Sequence, residues 1–107
     1  LDKTNHYAPA LDKIPEELAK KAKMMVVSYP LNPTCTCIEK ADYEKIIAFA
    51  KKYNIAIIHD NAYSEIEYDG RTGFSFLSVP GAKEVGIEFN SLSKTYNLTG
   101  IRISFGK

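Results

Sequence analysis

The sequence predicts an α/β fold, a three-layer sandwich with a mostly parallel sheet and one antiparallel strand. Two observations support this prediction. Compact apolar runs flank an amphipathic helical pattern in the first half of the chain, which is typical of a strand, a crossover helix and a second, parallel strand. The last two apolar runs are separated by only about eleven residues, too few for a helical crossover, so the final strand should run antiparallel.

The first predicted elements are a short helix and a strand. Residues 14–21 have a proline and two acids early and two lysines late. This order favours a short helix, because acids suit its amino end and lysines its carboxyl end. Residues 24–29 form a compact apolar run that ends at Pro30, and this run predicts a buried strand.

A second helix and strand complete the predicted parallel pair. Apolar side chains recur at spacings of three and four over residues 38–53, which predicts an amphipathic helix. Thr36 and Glu39 are candidates for its capping box, and Asn54 suits a left-handed stop. Residues 55–58 read as the second buried strand, so the two strands and the helix form a right-handed βαβ unit.

The second half of the chain predicts two more strands after a long irregular segment. Residues 61–83 are rich in turn formers, with a short helix expected near residues 75–79. Residues 85–89 are the third predicted strand, and residues 101–105 are the antiparallel fourth.

Length and charge limit the possible classes of protein. A chain of 107 residues has the size of one domain, or of part of one. Both ends look cut, so we expect an excerpt of a longer protein. The formal net charge of +1 argues against a nucleic-acid partner. No apolar run is long enough for a membrane helix, and the first residues do not resemble a signal peptide.

The two cysteines indicate a reducing compartment. Cys35 and Cys37 lie too close together for an ordinary disulfide, and two thiols are too few for a zinc site. We therefore expect ordinary thiols without an assigned role, and a cytoplasmic location.

The three predicted parallel strands are each followed by a distinctive polar residue: Asn32, Asp60 and Ser91. Ligands of open α/β sheets bind at the carboxyl ends of the strands, where loops can vary without disturbing the core. We therefore expect these three side chains to face one crevice.

Asp60 is the first candidate for a binding role. It follows directly on an apolar strand, where an unpaired carboxylate would be costly to desolvate. It therefore needs a cationic partner, unless it is a simple helix-cap or turn aspartate. Tyr63, three residues later, can reach the same crevice, although a tyrosine in a loop often serves only packing.

The last seventeen residues contain serine, lysine and arginine but no carboxylate. Partial burial of Lys94 and a neighbouring cation would favour its neutral amine, the form that makes a Schiff base. Arg102, at the start of the predicted return strand, offers a planar fork for a phosphate dianion, with the hydroxyls of Ser91 and Ser93 as further donors. The segment therefore predicts a bound phosphate and a covalently held aldehyde cofactor.

Several other kinds of site are not predicted. The sequence contains neither a dinucleotide-binding fingerprint nor a P-loop. His6 and His59 lack the spacing of metal ligands, and no serine lies in a nucleophile elbow. No metal site and no simple hydrolase triad are therefore expected.

Three stretches, YPLNPT, HDNAY and SLSKTYNLTGIRISFG, resemble in this order the class I/II aminotransferases, fold-type I enzymes that use pyridoxal 5′-phosphate (PLP). The resemblance covers nearly the whole chain and implies that residues 1–107 are a fragment of the large, PLP-binding domain of such an enzyme. The stretch GAKEVGIEFNSLSKTYNLTG looks most like the LL-diaminopimelate aminotransferase branch.

The resemblance implies a catalytic role for Lys94. This lysine would form the Schiff base with the cofactor aldehyde and then move the proton between the substrate α-carbon and the cofactor. Asp60 would pair with the pyridine nitrogen and keep it protonated, so that the ring accepts electrons.

The remaining cofactor contacts are also implied by the resemblance. Asn32 and Tyr63 would donate hydrogen bonds to the phenolate oxygen of the cofactor ring. Ser91 and Arg102 would hold the phosphate, and Ser93 is a further candidate for this group.

The implied reaction is transamination between an amino acid and a 2-oxo acid, in a homodimer with the active site at the interface. Two alternatives keep the same cofactor residues: a PLP-dependent C–S β-lyase, and a non-catalytic effector-binding domain of a transcription regulator. Because the family uses further segments, the chain alone is expected to be inactive and only marginally folded. Cys35 stands where the family usually has glycine, which implies a strained backbone there.

Overall fold

The computed structural model describes residues 2–107, which contain one mixed sheet of four strands; Leu1 lies outside the described residues. The strands lie in chain order: β1 (Met24–Ser28), β2 (Ala56–Asp60), β3 (Gly86–Ser91) and β4 (Ser104–Gly106). The first three are parallel neighbours, and β4 runs antiparallel to β3. The predicted α/β fold class and its antiparallel final strand are therefore confirmed.

The helices of this part of the chain are α1 (Glu16–Lys21), α2 (Lys40–Tyr53) and α3 (Leu92–Thr95). The first two lie where the sequence predicts them, whereas α3 is a single turn in the connection between β3 and β4. The helix expected near residues 75–79 is a 3-10 turn at Phe76–Ser78. None of the helices that the structure describes has the length and apolar character of a membrane span.

The ends of α2 differ in one respect from the predicted caps. The capping box lies three residues later than expected: Glu39 is the N-cap, and the carboxylate of Asp42 accepts its backbone N–H at 3.3 Å. Thr36 instead contacts the hydroxyl of Thr34 at 3.0 Å, so it is not part of the cap. Asn54 ends the helix with a left-handed φ of 53°, as predicted.

The hydrophobic core lies between α2 and one face of the sheet. The helix buries one stripe, formed by Tyr43, Ile46, Ile47 and Ala50, because these residues recur at helical spacing. Strand residues at alternate positions meet this stripe, since successive side chains of a strand point to opposite faces. The buried residues opposite the helix include Val27, Ile57 and Phe76.

The opposite face of the sheet is open. Met24 and Val26 of β1 are 56% and 63% exposed, and Ile87 and Phe89 of β3 are 45% and 41% exposed. These side chains are apolar, as expected for strands of a sheet that is covered on both faces. Of the two helical layers in the predicted sandwich, the described residues thus contain one. We call this face the open apolar face.

The fourth strand is shorter than predicted. It begins at Ser104, where it pairs with Ser91, because β3 gives way to α3 at the next residue. The preceding residues form a 3-10 turn at Thr99–Ile101, and Arg102 follows with a left-handed φ of 59°. The prediction that Arg102 starts the return strand is therefore wrong.

Candidate active site

The carboxyl ends of β1, β2 and β3 lie side by side at one edge of the sheet. Ser28 at the end of β1 pairs with Asp60, and Asp60 pairs with Phe89 of β3. Asp60 and Ser91 line one depression at this edge, together with Ile58 and Phe89. Two of the predicted residues therefore face a shared crevice.

A second group joins three of the predicted residues. The side-chain amide of Asn32 donates to the hydroxyl oxygen of Tyr63 at 3.0 Å. The Nζ atom of Lys94 lies 5.8 Å from the centre of the Tyr63 ring, within reach of a cation–π contact. Because the Tyr63 oxygen accepts the bond from Asn32, its own proton is free to be donated to a third group.

Asp60 is held by a turn and keeps one oxygen without a partner in the described residues. Its Oδ1 accepts the backbone N–H of Ala62 at 3.3 Å, so the turn alternative considered for this residue is also realised. No basic side chain within residues 2–107 forms an ion pair with this exposed carboxylate. The other oxygen can therefore accept a bond from a cationic ligand.

The segment after β3 is a chain of local hydrogen bonds. Ser91 is the N-cap of α3, and its hydroxyl oxygen accepts the N–H of Ser93 at 3.2 Å. The hydroxyl of Thr99 donates to the carbonyl of Ser93 at 3.3 Å, and the Arg102 guanidinium donates to the carbonyl of Thr99 at 2.9 Å. Thr99 thus connects the two serines to the arginine, a role that sequence reasoning missed.

Two expectations for the basic residues of this segment are corrected. Lys94 is exposed and not partly buried, because the single turn of α3 lies at the rim of the sheet, beyond the core under α2. Arg102 is exposed and follows a turn, not a strand. A left-handed φ is uncommon for arginine, and residues held in such conformations cluster at ligand sites.

A buried polar chain lies behind the crevice, on the covered face of the sheet. His59 is 0% exposed, and Glu88 beside it on β3 is 1% exposed. The Nδ1 atom of His59 lies 3.0 Å from Oε2 of Glu88, and its Nε2 atom lies 3.1 Å from the hydroxyl of Tyr43. We call these three residues the buried chain. Burial raises the pKa of the Tyr43 hydroxyl, and the charge of Glu88 raises it further.

Glu88 is the acceptor at the end of this chain. Its Oε2 also accepts the backbone N–H of Phe76 at 2.8 Å, and its Oε1 accepts bonds from Ser75 at 2.9 Å and Asn90 at 3.2 Å. Burial of the carboxyl opposes its ionisation, but the bonds from His59, Ser75 and Asn90 outweigh burial and lower the pKa of Glu88 to about 2. The carboxylate is therefore charged and fully paired.

Sequence reasoning considered His59 only as a metal ligand and did not identify Glu88. A signal was present, because each residue occupies an inward position of its strand, two residues after Ile57 and Gly86 respectively. A polar residue at an inward position of an apolar strand requires a buried partner.

The two cysteines have no partner thiol in the described residues. Both are free, and Cys35 has a left-handed φ of 57°, as its place in a glycine position implied. Burial and the nearby Glu67 carboxylate raise the pKa of Cys37. Both therefore favour the protonated thiol, which is less reactive than the thiolate.

A comparison with known families decides the class of the protein. The sequence profile of the family described as "Aminotransferase class I and II" matches residues 2–106. This chain belongs to that family. The resemblance seen in the three sequence motifs is thereby confirmed. The match also agrees with the sheet, since solved aminotransferase structures superpose on this chain.

The relatives of this chain are larger proteins. The LL-diaminopimelate aminotransferases of Syntrophobacter fumaroxidans and Aquifex aeolicus are 50% and 52% identical to it, over 98% and 96% of its length. The chain spans 27% of each of these two proteins, about a quarter of their length. The substrate-bound BacF structure from Bacillus subtilis superposes with a TM-score of 0.95 at 44% identity, over 99% of this chain and 27% of that one.

A further solved relative extends the same pattern. A probable N-succinyldiaminopimelate aminotransferase from Thermus thermophilus is 39% identical, with a TM-score of 0.85. The superposition covers 91% of this chain and 26% of the Thermus chain.

The residues at the crevice fit the groups of pyridoxal 5′-phosphate. The cofactor carries a ring nitrogen, a phenolic oxygen, an aldehyde and a phosphate. The crevice offers the Asp60 carboxylate, which has no ion-pair partner in the described residues. The group formed by Asn32, Tyr63 and Lys94 offers a hydroxyl paired with an amide and an exposed lysine amine. Residues 91–107 add serines and an arginine without a carboxylate that would repel a phosphate.

Proposed function

We propose that residues 1–107 are part of the PLP-binding domain of an aminotransferase that moves an amino group between an amino acid and a 2-oxo acid. The observation that carries this proposal is that Asn32, Tyr63 and Lys94 contact one another, while Asp60 and Ser91 share a depression, and all five residues lie at or after the carboxyl ends of the three parallel strands. A phenol–amide pair beside a lysine, together with a carboxylate that has no ion-pair partner in the described residues, suits an aromatic aldehyde with a ring nitrogen.

The bound cofactor would supply an aldehyde that condenses with amines and a ring that accepts electrons. Lys94 would bind the aldehyde carbon through Nζ and, once freed by the substrate amine, take the proton from the substrate α-carbon. Asp60 would hold a proton on the ring nitrogen through its free oxygen. Tyr63 would donate its proton to the phenolic oxygen while Asn32 fixes the orientation of the hydroxyl.

The phosphate would lie at the start of α3 and over the following turn. Ser91 can donate its hydroxyl proton although its oxygen accepts the N–H of Ser93, since a hydroxyl does both. Arg102 would supply a bidentate charged contact, and its bond to the Thr99 carbonyl holds the guanidinium near the two serines.

The relatives favour transamination over the two alternatives. The cofactor residues alone do not distinguish an aminotransferase from a C–S β-lyase or an effector-binding regulator domain, because all three would keep them. The named relatives are aminotransferases, and this favours transamination. We further propose amino acid and 2-oxo acid substrates, no nucleic-acid or membrane partner, a homodimer and a cytoplasmic location. The identity to LL-diaminopimelate aminotransferases makes a diamino acid the first substrate to test.

Covalent labelling tests the cofactor site. The chain is incubated with pyridoxal 5′-phosphate, reduced with borohydride and digested, and the modified lysine is identified by mass spectrometry. We expect the label on Lys94 over the other eleven lysines. Lys94→Ala should remove it, while Lys40→Ala, which changes an exposed lysine of α2, should leave it unchanged. A label spread evenly over the lysines would contradict the assignment of the site.

A segment exchange tests turnover. Residues 2–106 replace the matching segment of the Syntrophobacter LL-diaminopimelate aminotransferase, to which they are 50% identical. We expect amino transfer by the chimaera, and a loss of at least about 10²-fold on Lys94→Ala, because the lysine acts as the proton carrier. A well-folded chimaera that binds the cofactor but does not transfer amino groups would contradict transamination and favour a regulator-type domain.

A further inference from the structure

The buried chain of Tyr43, His59 and Glu88 has no part in the chemistry proposed above. It lies on the covered face of the sheet, whereas Asp60 and Ser91 face the crevice at the edge. Every heavy atom that can hydrogen-bond in the His59 ring and the Glu88 carboxylate has a partner. A buried polar group whose hydrogen bonds are all made is held rigidly, because any displacement would leave the buried charge unpaired.

The direction of the hydrogen bonds follows from the charge of Glu88. An ionised carboxylate only accepts, so Nδ1 of His59 must carry a proton and donate it. The other nitrogen, Nε2, meets the hydroxyl of Tyr43, which can serve either as donor or as acceptor. The buried chain thus connects α2, β2 and β3, and each of its three side chains has a hydrogen-bond partner.

The buried chain is linked to both halves of the crevice, directly at Asp60 and through Asn90 at Ser91. His59 directly precedes Asp60 in β2, and it is the register partner of Glu88 in β3. Asn90, which donates to Glu88, directly precedes Ser91. Between the two halves, the backbone N–H of Asn61 donates to the carbonyl of Phe89 at 2.8 Å.

We propose that the buried chain is a positioning device that sets the spacing between the carboxylate of Asp60 and the hydroxyl of Ser91. This inference rests on the proposed function, in which one ligand spans both residues, with its ring nitrogen at Asp60 and its phosphate at Ser91. A ligand that bridges two fixed contacts gains affinity only when both are reached together. His59, Glu88 and Tyr43 are therefore positioning residues, since none of them touches the crevice.

A purely structural role makes a different prediction. A buried ionic group often contributes little net stability compared with apolar residues of the same volume. If the buried chain only stabilised the fold, its loss would weaken every ligand to the same degree. A positioning role weakens a bridging ligand more than ligands that use only one end.

Binding experiments with three probes separate these roles. The probes are pyridoxal 5′-phosphate, which spans both ends, pyridoxal, which lacks the phosphate, and inorganic phosphate. Glu88→Gln removes the charge while keeping the shape, and Tyr43→Phe removes the hydroxyl while keeping the ring. Ile47→Val is the matched control, because Ile47 is buried in the same helix as Tyr43 but belongs to the apolar core.

We expect Glu88→Gln to weaken pyridoxal 5′-phosphate by about tenfold or more, since small displacements of a bridged site cost this much. Its effect on pyridoxal and on phosphate should stay below about threefold, and Ile47→Val should leave all three within about twofold. An equal loss for all three probes, or no loss for any, would overturn the proposal. A wild-type chain that binds pyridoxal 5′-phosphate no better than pyridoxal would instead contradict the proposed function.

A measurement without ligand decides the positioning role in that case. Hydrogen exchange of the Asn61 amide, followed by NMR, reports the bond to Phe89 that joins the two halves of the edge. Glu88→Gln and Tyr43→Phe should speed this exchange by about tenfold relative to Ile47→Val, when each variant is measured at the denaturant concentration that gives all three the same free energy of unfolding. Equal exchange rates in Glu88→Gln, Tyr43→Phe and Ile47→Val would overturn the proposal whatever the chain binds.

Discussion

Replacing Glu88 with glutamine would remove the charge from the buried chain while nearly preserving its shape. Oε2 can remain an oxygen and keep its bonds from His59 and Phe76. The new NH₂ group would then face Ser75 and Asn90, which both donate to Oε1 in the wild type. These two partners must turn to accept, or stay unpaired.

The size of the effect follows from the pKa of Glu88. Lowering that pKa from 4.5 to about 2 corresponds to about 3 kcal/mol of extra stability at neutral pH. Counting bonds leads to a similar value, because two donors that lose a charged acceptor cost about 1–2 kcal/mol each. We therefore expect Glu88→Gln to lower the free energy of unfolding by about 3 kcal/mol at pH 7.

The pH dependence gives the prediction its sign. A carboxyl whose pKa is lowered on folding stabilises the protein above its unfolded pKa of 4.5, and this contribution is lost as the pH falls toward 2. Glutamine does not titrate, so the variant lacks this loss. The difference between wild type and variant should be constant above pH 5 and shrink toward zero near pH 2.

Urea unfolding at a series of pH values measures both curves, in a fixed concentration of sucrose that raises the stability of a marginally folded chain. The sequence has no tryptophan, so far-ultraviolet circular dichroism is the suitable signal. Glu84→Gln serves as the control, because Glu84 is 69% exposed and its ion pair with Lys51 at 2.8 Å lies in solvent. Its effect should stay below about 1 kcal/mol. A difference between wild type and Glu88→Gln that does not change from pH 7 to pH 2.5 would refute the reasoning about the charged carboxylate.

Three further substitutions test features of the backbone and the core by the same unfolding assay. Cys35→Gly should raise the free energy of unfolding by about 0.5 kcal/mol, because it relieves a left-handed φ, whereas Cys37→Gly should lower it. A change in the same direction in both variants would contradict backbone strain at Cys35. Tyr43→Phe should lower the free energy of unfolding by about 1–2 kcal/mol at neutral pH, because a buried hydrogen bond is lost. Because the pKa of Tyr43 is raised in the fold, ionisation of tyrosine destabilises the wild type above pH 10, and the variant should lose less stability there. Tyr68→Phe, at a position that is 73% exposed, should change neither the free energy of unfolding at neutral pH nor its decline above pH 10. Asn54→Gly should add about 0.5 kcal/mol, and a loss would show that the asparagine side chain stabilises the helix end.

The sequence was informative wherever a periodic pattern was long or a chain connection was short. The helix that became α2 has four apolar residues at helical spacing, and the short gap before β4 excluded a crossover. The crevice followed from these two points, because parallel strands end at the same edge. The sequence alone therefore places Asp60 and Ser91 together, as the depression that both line confirms.

The parts that could not be predicted depend on contacts between distant segments. The left-handed φ of Arg102 depends on where β3 ends and α3 begins, which apolar alternation does not show. The pairing of His59 with Glu88 joins residues 29 positions apart, so no local pattern connects them. The exposure of Lys94 was missed for a similar reason, since it depends on how α3 sits at the rim of the sheet.

The open apolar face affects how the chain behaves in solution. Apolar side chains of β1 and β3 lie there on either side of Ile58 of the intervening strand β2, and a contiguous patch of this kind promotes association between copies. Association stabilises the folded form by mass action, so the thermal midpoint should rise with protein concentration. The unfolding free energies predicted above are therefore best measured at several dilutions and extrapolated to the monomer. A dye that binds exposed apolar surface should also respond to the native chain, and its signal should fall as copies associate.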